Sequence, residues 1–453
     1  MKRIYEKYKH HYKDNFQLAY PVVISQLGHT LVGLSDSIIM GHTGEISLAA
    51  VSLGVGVFSI FMVAGIGISY GLTPLIAQAN GRGEKEICGR LLAHSLIINA
   101  ITGLVMFAGI LITAENLERM GQPAAVAPEA RIFLRYLAFS YLPLMVFLTF
   151  KQFAEGLGFT RQAMNISIIG NILNIVIGVT LVYGLLGVPR MGISGVGIAT
   201  FTDRLLMGIT MAWYVLKSPR FREYLGDFHF RDISKSLLKK IAGLGTPVAL
   251  QYIFEVSAFS GAVVMAGWLG STQQAAHQIA INLASMTYMM ASGISAAAGI
   301  RSGNNFGAGN FSDLRRSSIA SYHMVAVMMG IAALVFVLGS RWLPLMYIND
   351  PEVVHMASGL LLIAAFFQLF DGTQVVGLGV LRGLGDVRVP TVITMIAYWV
   401  IGLPVGYILG FPLKLGVQGI WWGLLLGLVV ASVLLFFRFQ DFTRRLERNA
   451  GNS

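Results

Sequence analysis

The chain has 453 residues, of which 55% are hydrophobic and only 12% charged, and its mean hydropathy is +0.67. Soluble domains carry about 25% charged residues, so half that share over so long a chain indicates a membrane protein. The net charge of +11 would suit nucleic acid if it formed one patch. The basic residues lie instead in gaps between apolar runs, so no nucleic-acid partner is expected. The single cysteine, Cys88, excludes an internal disulfide and a cysteine-based metal cluster.

In chain order, the N-terminal "MKRIYEKYKHHYKDN" is basic. The apolar run behind it is too long for a signal-peptide core and lacks an A-x-A cleavage site, so it reads as a retained first membrane helix. A span needs about 20 apolar residues. Twelve runs qualify, near 16–40, 48–73, 90–113, 132–154, 163–186, 192–216, 242–267, 275–300, 317–340, 357–380, 389–410 and 415–437. They are too continuous for barrel strands, which alternate polar and apolar residues. The expected fold is an all-α polytopic membrane protein with twelve transmembrane helices.

Twelve spans return both termini to one side. On that side fall Lys2 to Lys13, "NGRGEKEICGR" (80–90), the segment from Lys217 to Lys240, Arg315 and Arg316, "LRGLGDVR" (381–388) and "RRLER" (444–448). The other side holds Arg119, Arg131, Arg135, Arg190, Arg341 and Lys414, which is 6 of the 33 basic residues. The positive-inside rule places both termini in the cytoplasm. The longest charged stretch, 217–241, divides the chain into an N-lobe (1–216) and a C-lobe (242–453).

The halves repeat. Adding 226 maps Pro21 to Pro247, Gly41 and Gly44 to Gly267 and Gly270, Ala49-Ala50 to Ala275-Ala276, and Gly81 and Gly83 to Gly307 and Gly309. With small shifts, "EGLGFTR" (155–161) matches "RGLGDVR" (382–388). Six helices per half give both halves one orientation, related by a pseudo-two-fold axis along the membrane normal. Such parallel repeats suit a transporter that rocks two lobes around a substrate.

Four carboxylates fall within spans: Asp36, Asp203, Glu255 and Asp371. A charge at the bilayer centre costs at least about 2.5–3.5 kcal/mol, so each is a functional candidate. Glu255 is central to its span and Asp371 nearly so, whereas Asp36 is about four residues from a helix end. Helical spacing groups Gln251 with Glu255, Gln278 with Asn282, and Asp371 with Gln374. If spans 7, 8 and 10 face one another, two carboxylates stand among amide oxygens, a set that suits Na⁺ or, with desolvated carboxylates, protons. The residues leave that choice open, and a Na⁺ at Glu255 and Asp371 is one form of it. Asn171, Asn174 and Thr200 are oxygen partners for Asp36. Asp203 and Arg204 are about 100° apart on a helix and need not pair, so they read as structural. His29 and His277 lack metal-ligand company and read as packed histidines.

Phe254, Phe259, Tyr288, Met286, Met289, Met290, Phe366 and Phe367 cluster in sequence near the second-half carboxylates. Aromatic rings and thioethers make an adaptable wall for flat lipophilic cations. Gln374 adds a polar group there, and Phe259, Tyr288, Met286, Met290, Phe367 and Gln374 are the expected substrate contacts. There is no G-x-x-x-x-G-K-[ST] loop, no H-E-x-x-H, and no Ser or Cys nucleophile beside a His, so neither ATP coupling, an enzyme nor a cofactor is expected.

"PVVISQLGHTLVGLSDSIIMGHTG" (21–44), "AAHQIAIN" (275–282) and "FDGTQVVGLGVLRGLGD" (370–386) resemble the multidrug and toxic compound extrusion (MATE) transporters, in particular their NorM branch. The resemblance spans about residues 10–440. It implies two six-helix lobes and a secondary antiporter of the bacterial inner membrane, acting as a monomer, that exports cationic drugs and dyes against Na⁺ or H⁺. By motif, it makes Asp36, with Asn174 and Thr200, a first-lobe cation site. Glu255 and Asp371 become the second-lobe acidic pair, with Gln278 and Asn282 as polar partners. Gly178 and Phe367 stand where some relatives carry an Asp or Asn and a Tyr. The alternative is a lipid-linked oligosaccharide flippase of related architecture, which should have a basic central cavity to hold pyrophosphate.

Overall fold

The computed structural model of the chain describes residues 2–120 and 123–451. Among the described residues there are fourteen α-helices and no strand. The first half forms α1 (Lys2–Gly41), α2 (Glu45–Ser69), α3 (Thr73–Gly81), α4 (Ile87–Glu115), α5 (Ala127–Gly156), α6 (Thr160–Tyr183) and α7 (Ile193–Lys217). The second half forms α8 (Lys235–Trp268), α9 (Ser271–Gly307), α10 (Phe311–Gly339), α11 (Pro351–Gly383), α12 (Arg388–Met395), α13 (Leu403–Gly410) and α14 (Gly416–Gly451). With α2–α3 and α12–α13 each counted as one crossing, eleven described helices are long and apolar enough to span a bilayer. The twelfth expected span is α7, 25 residues long, whose middle carries Asp203 and Arg204. Large apolar side chains such as Ile112, Trp213, Val327 and Phe437 are exposed, as lipid-facing side chains would be.

The repeat is visible in the backbone. Gly44 and Gly270, 226 apart, precede α2 and α9 with φ of 145° and 116°. Gly83 and Gly309, again 226 apart, have φ of 77° and 71°. Only glycine adopts that region without a Cβ penalty, which is why these letters recur. The copies also differ. Pro74 cannot donate to the Tyr70 carbonyl, and the chain breaks between α2 and α3. The matching residue is Ile300, and α9 runs unbroken. Between α12 and α13, residues Ile396–Gly402 form a π-helical stretch. Pro404 follows it and leaves the Val400 carbonyl without its α-helical donor, which favours the wider turn.

The chain divides into two compact units, Ile24–Ala249, and Met1–Val23 with Leu250–Ser453. The divisions therefore fall inside α1 and α8, not at the charged 217–241 stretch expected to separate the lobes. That stretch is folded onto the first unit. A short 3₁₀ helix, Pro219–Tyr224, buries Phe221 completely against Phe153, Phe159 and Tyr214. Ser234 N donates to His94 Nε2 at 2.8 Å, and Tyr224 donates to Asn80 Oδ1 at 3.0 Å. Lys85 pairs with Glu223, and that contact holds the exposed carboxyl of Glu223 below its ordinary value.

In the second unit α9 packs backbone to backbone on α11. A Cβ at Gly299 would lie 2.8 Å from the Gly379 carbonyl oxygen, and Ser295 Oγ donates to the Val375 carbonyl at 2.6 Å. Small residues one turn apart allow this approach where lipid supplies no hydrophobic drive between helices. In the same unit the head of α1 is tied down by Arg301–Asp14 (3.0 Å) and by Asn15 Nδ2 donating to Ser321 Oγ at 2.8 Å.

Candidate functional site

In the second unit, α11 presents Phe367, Gln368, Asp371 and Gln374 on one buried face. Asp371 is 2% exposed and Glu255 of α8 is 4% exposed. Both Glu255 carboxylate oxygens are buried without a protein hydrogen-bond partner, and the two acids are near enough to interact electrostatically. Tyr288 of α9 and Tyr398 of the π-helical stretch lie within range of both carboxylates. Tyr398 donates to Gln374 Oε1 at 2.9 Å, while Gln374 Nε2 has no protein partner. Gln251 is buried one turn before Glu255.

Aromatic rings back this cluster. Phe259 meets Phe367 and Tyr398 with centroids 6.1 and 5.6 Å apart, and Phe367 meets Trp421 at 5.6 Å. Trp399 Nε1 donates to the Phe254 carbonyl at 3.1 Å, which fixes α8 to the π-helical stretch. Phe367 is a core side chain at 2% exposure, Phe259, Tyr288 and Met290 are half-buried, and Met286 is exposed.

Gln278 and Asn282 are placed differently from the sequence reading. They lie on an exposed stripe of α9 with Gln274 and Met286, and Gln278 Nε2 donates to Asn282 Oδ1 at 2.9 Å. The adjacent His277 turns inward, where Nδ1 accepts from Trp421 Nε1 at 3.1 Å. Helical phase separates these neighbours: residues 276, 280 and 284 are small alanines that pack inward, leaving 278 and 282 on another face.

In the first unit, Asp36, Asn174, Thr200 and Asp203 are all buried. Asn174 Nδ2 donates to Thr200 Oγ1 at 3.4 Å, joining α6 to α7. Asn171 lies against Gly28 of α1, and Ile39 of α1 approaches Gly178. Asp36 lies on the same stripe of α1, between those two points of contact with α6. Asp36 Oδ1, Asn174 Oδ1 and Ser167 Oγ have no protein hydrogen-bond partner. His29 is exposed, unlike the packed histidine expected.

Sequence reading missed three features. Tyr398 is one of sixteen tyrosines in the chain, and only the fold puts it beside Gln374. Lys151 and Glu155 form a buried pair at 3.8 Å on α5, and their neighbour Gln152 accepts from Thr73 at 2.6 Å. The signal there was the i, i+4 spacing in "KQFAE". Gln368, wholly buried and accepting from Thr287 at 2.6 Å, is a further link between α9 and α11.

The MatE family model matches this chain twice, over residues 21–180 and 247–408. The chain belongs to the MatE family. These are the MATE multidrug efflux transporters, and the two matches coincide with the internal repeat. "Probable multidrug resistance protein NorM" of Pseudomonas syringae pv. tomato is 34% identical over 441 residues, covering 95% of each chain. "Multidrug resistance protein MdtK" of Yersinia enterocolitica is 33% identical, covering 96% of each. Among solved structures, an outward-facing multidrug resistance MATE transporter of the MOP superfamily superposes with a TM-score of 0.89 at 22% identity, over 97% of both chains. The eukaryotic MATE transporter AtDTX14 gives 0.87 at 20% identity, over 98% of this chain and 99% of that one. The chain is thus an all-α, multi-pass membrane protein of the NorM branch, with the MATE fold.

Proposed function

We propose that this MATE transporter exports lipophilic organic cations in exchange for Na⁺ or H⁺ across the bacterial inner membrane, with both termini cytoplasmic. The observation that carries the reading is the Glu255–Asp371 cluster: two carboxylates buried in protein, with both Glu255 oxygens lacking a donor. Burying a carboxylate without a partner is costly, and a cation or a proton relieves that cost. A drug cation and the coupling ion compete for the same negative charge, so occupancy by one expels the other. The rings of Phe259 and Tyr288 beside the acids suit a flat, apolar cation. On this reading Asp36, with Asn174 and Thr200, forms a second cation-responsive group in the other unit. Gln278 and Asn282, on the exposed stripe of α9, act at most on substrate in passage. The flippase alternative needs a predominantly basic site, and here two carboxylates outnumber the one guanidinium, Arg382, that lies within electrostatic range of Glu255.

The test is ethidium efflux from everted vesicles under a Na⁺ gradient or an H⁺ gradient imposed separately. One of the two gradients drives efflux by the parent protein, and the Glu255→Gln/Asp371→Asn variant loses it while still inserting and eluting as a folded species. Full efflux by that variant refutes the reading.

A further inference from the structure

The first unit holds a second buried carboxylate, on α7. Asp203 is 4% exposed, and its Oδ1, like that of Asp36, has no protein hydrogen-bond partner. Thr200 and Asp203 are one turn apart on α7, and Gly170 and Asn174 are one turn apart on α6. Asn174 meets Thr200, and the Asp203 carboxylate rests directly against the α6 backbone at Gly170, where any Cβ would strike it. Asp36 is within electrostatic range of Asp203. Four buried oxygens on three helices of this unit therefore lack a donor: Asp36 Oδ1, Asn174 Oδ1, Ser167 Oγ and Asp203 Oδ1.

Arg204 is the neighbouring cation, but it is held elsewhere. Its Nη1 donates to Ser140 Oγ at 2.7 Å, and its guanidinium stacks on Phe58 with the carbon 4.5 Å from the ring centre. It still lies within electrostatic range of both carboxylates. Of the other ionisable groups nearby, Tyr141 spends its hydroxyl on the Phe61 carbonyl at 2.7 Å, and the exposed His29 is within electrostatic range of Arg204 and Lys151. Lys151 in turn is balanced by Glu155. Two carboxylates against one fixed guanidinium leave one negative charge uncompensated.

We propose that Asp203 is an acidic ligand of the first-unit site alongside Asp36, and that Arg204 sets the charge of that site so that it takes up a single positive charge. This extends the antiport reading and depends on it only for the identity of the ion. Asp203 is then part of the coupling machinery and not a structural residue.

The experiment removes the second-unit acids first. In a Glu255→Gln/Asp371→Asn background, purified protein is assayed for equilibrium ²²Na⁺ binding and, in Na⁺-free unbuffered medium, for proton uptake after a pH step. The background is expected to bind one Na⁺ or take up one proton. Adding Asp203→Asn should weaken that uptake about tenfold or more, the size expected for deleting a unit charge within about 10 Å at an effective dielectric of about 20. Asp203→Glu should retain it. Asp203→Asn/Arg204→Gln, which restores the charge balance, should recover most of the loss. Each variant is first checked for monodisperse elution in detergent. Unchanged uptake by Asp203→Asn refutes the role of Asp203, and a failure of the double variant to recover refutes the charge balance. Neither result touches vesicle efflux by the parent protein, which tests antiport separately. A background that takes up no cation refutes the site itself.

Discussion

Replacing Tyr398 by phenylalanine isolates one hydrogen bond in the acidic cluster. The ring, with its 5.6 Å contact to Phe259, is kept, and only the hydroxyl that donates to Gln374 Oε1 at 2.9 Å is lost. Both residues are wholly buried, and Gln374 Nε2 already lacks a partner. The variant therefore leaves a buried amide with no hydrogen bond at all. Such a group costs about 1–3 kcal/mol, although interhelical hydrogen bonds in membrane proteins average nearer 0.6 and reach about 1.7. The complete burial of both partners places this pair toward the upper membrane figure, about 1–2 kcal/mol. Gln374→Leu should cost a similar amount by orphaning the hydroxyl. The double variant Tyr398→Phe/Gln374→Leu removes both polar groups and should regain at least half of the summed loss. The assay is the equilibrium unfolding of purified protein in mixed micelles, run as a double-mutant cycle. Strictly additive losses would mean that the two groups are not coupled, and the argument would fail.

Other consequences are equally direct. Phe221→Ala removes a fully buried ring from between Phe153, Phe159 and Tyr214, at a cost of about 3–5 kcal/mol. Limited trypsin digestion should then cut at Arg220 or Arg222 well before the parent is cut, and equal rates would show that Phe221 does not hold the segment. Gly423→Val drives a side chain into the Gly406 backbone and to within 2.6 Å of the Gly402 carbonyl oxygen, so the folded elution peak should be lost. Gly330→Ala, where a Cβ meets nothing within 4 Å, should elute and transport like the parent. Breaking the Thr287–Gln368 bond with Thr287→Val should lower stability by about 1–2 kcal/mol, read from the same micelle unfolding curves. No change there would mean that Gln368 finds another donor.

Hydropathy and periodicity made the all-helical membrane class and the helix positions legible, because each crossing must carry its own run of apolar residues and satisfy its own backbone. The repeat was legible for an equally local reason: glycines at a fixed offset mark backbone turns that other residues rarely make. Even the buried acids announced themselves, since Asp36, Glu255 and Asp371 are charges where charge is costly.

What surrounds those acids depends on helix rotation and packing. Gln278 and Asn282 have the right spacing, but α9 turns them to an exposed stripe and brings Tyr288 and Thr287 toward α11. Tyr398 reaches Gln374 because a π-helical stretch precedes Pro404, and Asp203 rests against α6 because Gly170 has no side chain to keep it away. Spacing along one helix fixes which residues share a face. Only the packing of several helices decides what that face meets, and for this transporter that decision sets which oxygens stand beside each carboxylate.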